Sequence, residues 1–130
     1  CLTYALPFSN ISSGAYRKKE ELETVMIESC MGGKGIVRME KLLYAPEEML
    51  EKGRAYVRHT LEPGVSIGQH THEGEMETMV IVSGNAEHTI NGEVQELKAG
   101  DIIAAMPGDT HGIVNNGEES LVLIAQVLYE

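Results

Sequence analysis

From Arg54 onward the chain is cut into short apolar-rich runs separated by turn-forming residues, a rhythm that leaves little room for helices. The runs cover residues 55–61, 65–72, 76–82, 86–90, 93–97, 102–106, 111–114 and 121–129. Asn91-Gly92 is a type I′ hairpin signal, because both central residues of that turn need positive φ. Glu62-Pro63-Gly64 and Ala99-Gly100-Asp101 read as turns. Many short strands at near-regular spacing predict an all-β sandwich or barrel. Upstream, Ile36–Leu43 reads as a further strand, and residues 46–50 as a helical turn opened by Pro46. Leu22, Val25 and Met26 sit at helical spacing, so a short helix is expected over residues 18–30. The Met31-Gly-Gly-Lys-Gly35 cluster ends it, and lacks the order of a phosphate-cradling loop. Residues 1–16 show no period and read as an irregular arm.

The expected organisation is one domain, with an N-terminal arm and short helix over 1–35 and a β-barrel over 36–130. A length of 130 residues suits this. The formal charge of −10 disfavours nucleic acid and anionic membrane surfaces as partners. No apolar run reaches the roughly 18 residues of a membrane span. Two cysteines, Cys1 and Cys30, make no disulfide framework, so a reducing cytoplasm is the expected setting. The sequence starts at Cys1, a start that upstream processing or a lipid-modified cysteine would each produce. Asn10-Ile11-Ser12 matches a glycosylation triplet of a kind common by chance.

His70 and His72 are two apart in a predicted strand, so both imidazoles project from one face. Glu77 follows from the next turn or strand, and His111 from a later one. Three imidazoles and a carboxylate suit Mn, Fe, Co, Ni, Cu or Zn, and are too nitrogen-rich for Ca or Mg. Such a set either closes a tetrahedral structural site or leaves two positions open on a six-coordinate ion.

The stretch from Gly64 to Gly84 resembles the first cupin motif, G-x5-H-x-H-x4-E-x6-G, at every fixed position. Gly100 to Asn115 is similar to the second, G-x5-P-x-G-x2-H-x3-N. Gly108, His111 and Asn115 fall in register, but Met106 stands where the motif has proline, with Pro107 one place later. The resemblance implies a double-stranded β-helix, or jelly roll, holding a divalent transition metal through His70, His72, Glu77 and His111. It also implies a homodimer in which an arm or edge strand packs on the neighbouring sheet. Cupins serve many chemistries, so the fold leaves function open. Expected first is a small-molecule metalloenzyme, dioxygenase- or isomerase-like; the alternative is a non-catalytic domain that binds or senses a small molecule.

Alternation assigns the inward faces. Val57, His59 and Leu61 form the more apolar face of their strand, Met79 and Ile81 share a face with Glu77, and Leu121, Leu123, Ala125 and Val127 line the last strand. The cavity is therefore expected to be largely apolar. His59 is a lining residue whose functional role would be that of a donor or general base near the metal. His88 reads as a satisfied core or rim histidine, Glu73 and Glu75 as solvated loop carboxylates, Cys30 as a buried thiol, and the methionines as core filler.

Overall fold

The computed structural model describes residues 16–130; Cys1 and the Asn10 triplet lie outside them. Among the described residues ten strands carry the fold: β1 (Thr24–Glu28), β2 (Ile36–Leu43), β3 (Gly53–Leu61), β4 (Ser66–Thr71), β5 (Glu75–Ser83), β6 (Asn85–Ile90), β7 (Glu93–Lys98), β8 (Ile102–Ala105), β9 (Thr110–Val114) and β10 (Leu121–Tyr129). All pair antiparallel, in a six-stranded sheet ordered β1-β2-β3-β10-β5-β8 and a four-stranded sheet ordered β4-β9-β6-β7. This is the expected all-β jelly roll. The helical turn after Pro46 is a 3-10 turn over Pro46–Met49, and Asn91 and Gly92 both have positive φ, as their hairpin requires.

Alternation in sequence becomes burial in space. Val57 and Leu61 of β3, Leu121, Leu123, Ala125 and Val127 of β10, and Met79 and Ile81 of β5 all turn inward. Register makes them neighbours, with Leu123 opposite His59 on one side and Ile81 on the other. Ile67, Ala86 and Ile113 close the core from the second sheet. A fully buried side chain of this size contributes about 1.5–3 kcal/mol relative to an exposed one, so the two inward faces are the main cohesive force.

The expected helix over 18–30 is corrected. Residues Lys19–Glu21 form one 3-10 turn and Thr24–Glu28 form strand β1. Thr24, Val25 and Ile27 are β-branched, which favours a pleated surface. Val25 pairs with Met39 and Ile27 with Val37, while Met26, assigned to the helix's apolar face, is 60% exposed. The segment expected to be a short helix thus adds a strand to the larger sheet.

The glycine cluster forms a 3-10 turn, Cys30–Gly32, but follows a strand rather than a helix. It packs hard on β4: a Cβ at Gly68 would collide with the Met31 carbonyl oxygen, and one at Gly33 with the Ser66 carbonyl oxygen. Only glycine permits this approach. The methionines are also corrected: Met79 and Met49 are buried, but Met26, Met31 and Met106 are exposed.

Candidate metal centre

His70 projects from β4, and His72 sits just past its end; Glu77 projects from β5 and His111 from β9, where it lies in register with His70. The Glu77 Oε1 atom is 3.1 Å from His72 Nε2, 2.9 Å from His111 Nε2 and 3.8 Å from His70 Nε2. The two imidazole nitrogens of His72 and His111 are 3.1 Å apart. One donor atom from each of the four residues lies within 4.8 Å of the others. The structure therefore brings together all four residues singled out from the sequence.

In a neutral ring the contact on the far side selects the tautomer. His70 Nδ1 is 2.8 Å from the Gly68 carbonyl oxygen, which can only accept, so Nδ1–H donates and Nε2 keeps its lone pair. His72 Nδ1 faces the Glu75 carboxylate at 3.1 Å, with the same result. His111 Nδ1 faces His88 Nε2 at 2.9 Å, where either ring can donate; the tautomer in which His111 donates keeps its Nε2 as an acceptor. With all three rings neutral and donating outward, three lone pairs and a carboxylate oxygen would face one another, an arrangement a cation satisfies. The spacing fits as well: right-angled donors on bonds of about 2.1 Å stand about 3.0 Å apart, against about 3.4 Å in a tetrahedron. The three closest contacts, 2.9, 3.1 and 3.1 Å, match the first value, while His70 Nε2 stands farther out, 3.8 Å from Glu77 Oε1.

Electrostatics follow burial and these contacts. In the metal-free protein burial works to raise the Glu77 carboxyl, but hydrogen bonds from His111 and His70 and the charges of His111 and His72 outweigh it, holding Glu77 well below the usual carboxylate range; a bound cation would take the place of those imidazole protons. Glu77 pulls His70 upward against the opposing effect of burial. Burial, reinforced by His111, pushes His88 down to about 4.

Two residues read as bland from the sequence have partners here. His88 is buried, as a core histidine should be, but its partner is one of the four clustered residues. Its inward position was legible from Ala86 two residues before it; the contact across to β9 was not. Glu75 is corrected more sharply. It lies on β5, on the same face as Glu77, and accepts two hydrogen bonds from Arg54 at 2.7 and 2.6 Å as well as one from His72. The Arg54 guanidinium is the main cause that holds its carboxyl at about 2. The two-residue spacing from Glu77 was the available signal. Glu73 is exposed, as expected.

The loop carrying His111 explains the missing motif proline. The Met106 backbone N–H donates to Asp109 Oδ2 at 2.8 Å, a bond proline could not make. Gly108 then donates to the His72 carbonyl at 2.7 Å, tying the loop to the end of β4. Asn115, fully buried, donates to the carbonyls of Leu61 and Glu119 and accepts from Gly117 N–H. It fastens the β9–β10 connection and touches no donor of the cluster.

A cavity of about 140 Å³ opens beside His70, His72 and Glu77. Val57, Met79, Val127 and Met39 give it apolar walls, and Arg54, Cys30 and His59 also line it. His59 is 8% exposed, and its Nδ1 has no hydrogen-bond partner among the described residues. Burial lowers its pKa, with Glu77 acting in the other direction, so the ring is neutral near pH 7. Burial, with Glu77 adding to it, raises the half-buried Cys30 thiol.

Fold and cluster together define a small jelly-roll domain with a buried pocket rich in imidazole and carboxylate donors. Residues 57–127 match the family model described as the cupin domain. The chain belongs to the cupin family. It is similar to the oxalate-binding protein of Thermotoga maritima, at 36% identity over 116 residues, covering 89% of this chain and 95% of that one. A crystal structure of a predicted oxalate decarboxylase from Thermotoga maritima superposes with a TM-score of 0.84 at 36% identity, covering 87% of this chain and 97% of that one. The (R)-mandelonitrile lyase of Granulicella tundricola is 31% identical over 77 residues, which cover 59% of this chain and 56% of the lyase.

Proposed function

We propose that this chain holds a divalent transition-metal ion, one of Mn, Fe, Co, Ni, Cu or Zn, on His70, His72, Glu77 and His111, and there binds a short carboxylate such as oxalate. The observation that carries this reading is the convergence of three imidazole nitrogens and a carboxylate oxygen within 4.8 Å of one another, with the outer nitrogens of His70 and His72 facing the acceptors Gly68 and Glu75. A bound ion of this kind supplies Lewis acidity, and a six-coordinate one keeps two positions beyond these four donors.

Charge supports an anionic ligand that depends on the metal. The chain carries −10 overall. Within the site Arg54 and Glu75 offset each other, while Glu77 stays negative. An anion is therefore repelled until a divalent charge outweighs Glu77. The cavity, at about 140 Å³, is smaller than the roughly 300–1,000 Å³ of drug-sized sites, which favours a ligand of few atoms. The name of the 36% identical Thermotoga relative supports the same ligand class.

Dioxygenase- or isomerase-like turnover on the same site is a second reading. It is favoured by His59, a neutral imidazole beside the cluster that is able to take a proton from a bound substrate. The chain also presents Val80 and Ile102, paired across β5 and β8, and Val82 on the exposed face beside the β8 edge. Such an apolar edge supports a homodimer, and light scattering giving a single-chain mass would refute that. No helix among the described residues is long and apolar enough to cross a membrane, and the free Cys30 thiol accords with the reducing cytoplasm in which we place the protein.

Calorimetry with oxalate on metal-loaded and chelator-stripped protein tests the function. Saturable binding by the loaded form alone is expected. Binding that persists after stripping, or is absent from both forms, contradicts it.

A further inference from the structure

The cavity has two polar poles. One is the four-residue cluster, with Arg54 committed to Glu75 beside it. The other is His59, whose buried Nδ1 has no hydrogen-bond partner among the described residues. Across the sheet His59 pairs in register with Met39 on β2 and Leu123 on β10, and neither side chain offers a hydrogen bond. The surrounding walls, Val57, Met79 and Val127, are apolar as well. Buried polar atoms in folded proteins are almost always paired, and His59 lines the cavity that also borders His70, His72 and Glu77.

We propose that His59 is the specificity-determining residue of this site: its Nδ1–H donates to an oxygen at the far end of a short ligand with oxygen functions at both ends, a dicarboxylate or a 2-oxo or 2-hydroxy acid. The near end of that ligand lies at the His70, His72, Glu77 and His111 cluster, so the proposal rests on the metal-dependent reading above and adds which residue selects the ligand. A monocarboxylate engages only the cluster and leaves Nδ1 unpaired. A site built around a hydrogen bond discriminates strongly against ligands that cannot make it, whereas an apolar wall distinguishes them weakly. The neighbouring apolar side chains supply shape, and His59 supplies the choice.

The test uses zinc-loaded protein, with oxalate and acetate as probes, in the parent, His59→Phe and His59→Gln forms. Elemental analysis comes first. A parent chain that holds no zinc overturns the functional reading itself, and this proposal with it. Equal zinc in parent and variants leaves the choice of ligand as the only question. His59→Phe is then expected to weaken oxalate binding about tenfold or more while changing acetate binding less than about twofold. His59→Gln, which keeps an N–H donor, is expected to recover most of the loss. Equal oxalate affinity in parent and His59→Phe overturns the proposal, as does a parallel loss of both probes. Nitrogen NMR of the parent gives a readout independent of any variant's folding. The His59 Nδ1 signal is expected to shift on saturation with oxalate and to stay in place with acetate, and an unmoved signal with oxalate contradicts the assignment.

Discussion

His88 Nε2 stands 2.9 Å from His111 Nδ1, so one buried imidazole is the hydrogen-bond partner that orients another belonging to the four-residue cluster. The relation gives His88 a role in metal affinity although it touches no clustered donor atom. Removing the partner of a metal-ligating histidine typically costs 10–100-fold in metal affinity. His88→Leu is expected to lose affinity in about that range, measured by competition with a chelating dye. His88→Gln, whose amide oxygen accepts from His111 Nδ1–H, is expected to lose less. Equal affinity in parent and His88→Leu would remove His88 from the account.

Gly68 links the site to the turn behind it. Its carbonyl accepts from His70 Nδ1–H, while its missing Cβ makes room for the Met31 carbonyl. Gly68→Ala is expected to destabilise the fold by about 1–3 kcal/mol through overpacking and to weaken metal binding by tilting His70. Urea unfolding of the metal-free protein checks the first effect and metal titration the second.

Acid should weaken the metal-free protein in two stages. His88, pushed down to about 4, and His59, lowered by burial, resist protonation in the folded state. As pH falls from about 6.5 to about 4, the unfolded chain takes up protons that these rings refuse, so stability falls. His70 is raised and acts oppositely: its contribution is present below its unfolded value and is lost as pH rises through its folded one. Two groups against one give a net loss on acidification. Glu75 and Glu77, both depressed, contribute stability that is present above about 4.5 and lost as pH falls further. The melting temperature is expected to drop between about pH 7 and pH 4.5, with a shallower slope in His88→Gln. A flat profile would contradict the burial assigned to these rings.

Much of the site was legible because it depends on short-range periodicity. The two-residue step from His70 to His72 puts both on one face, and alternation placed Val57, His59 and Leu61 inward without knowledge of any partner. The positive φ demanded by Asn91-Gly92 is likewise local. What could not be read depends on contacts across the fold. Leu22, Val25 and Met26 fit a helix as well as a strand over so few residues, and pairing of Thr24–Glu28 with β2 decided for the strand. Glu75 looked like a loop carboxylate because Arg54, which orders it, is distant in sequence. His88 was placed in the core correctly, yet its neighbour His111 comes from another strand.

The most direct test is metal stoichiometry by elemental analysis of the purified chain and of the His70→Ala/His72→Ala double variant, each incubated with divalent transition metals and desalted. The account predicts close to one bound ion per chain in the parent and almost none in the variant. Equal metal in both, or none in either, would contradict it.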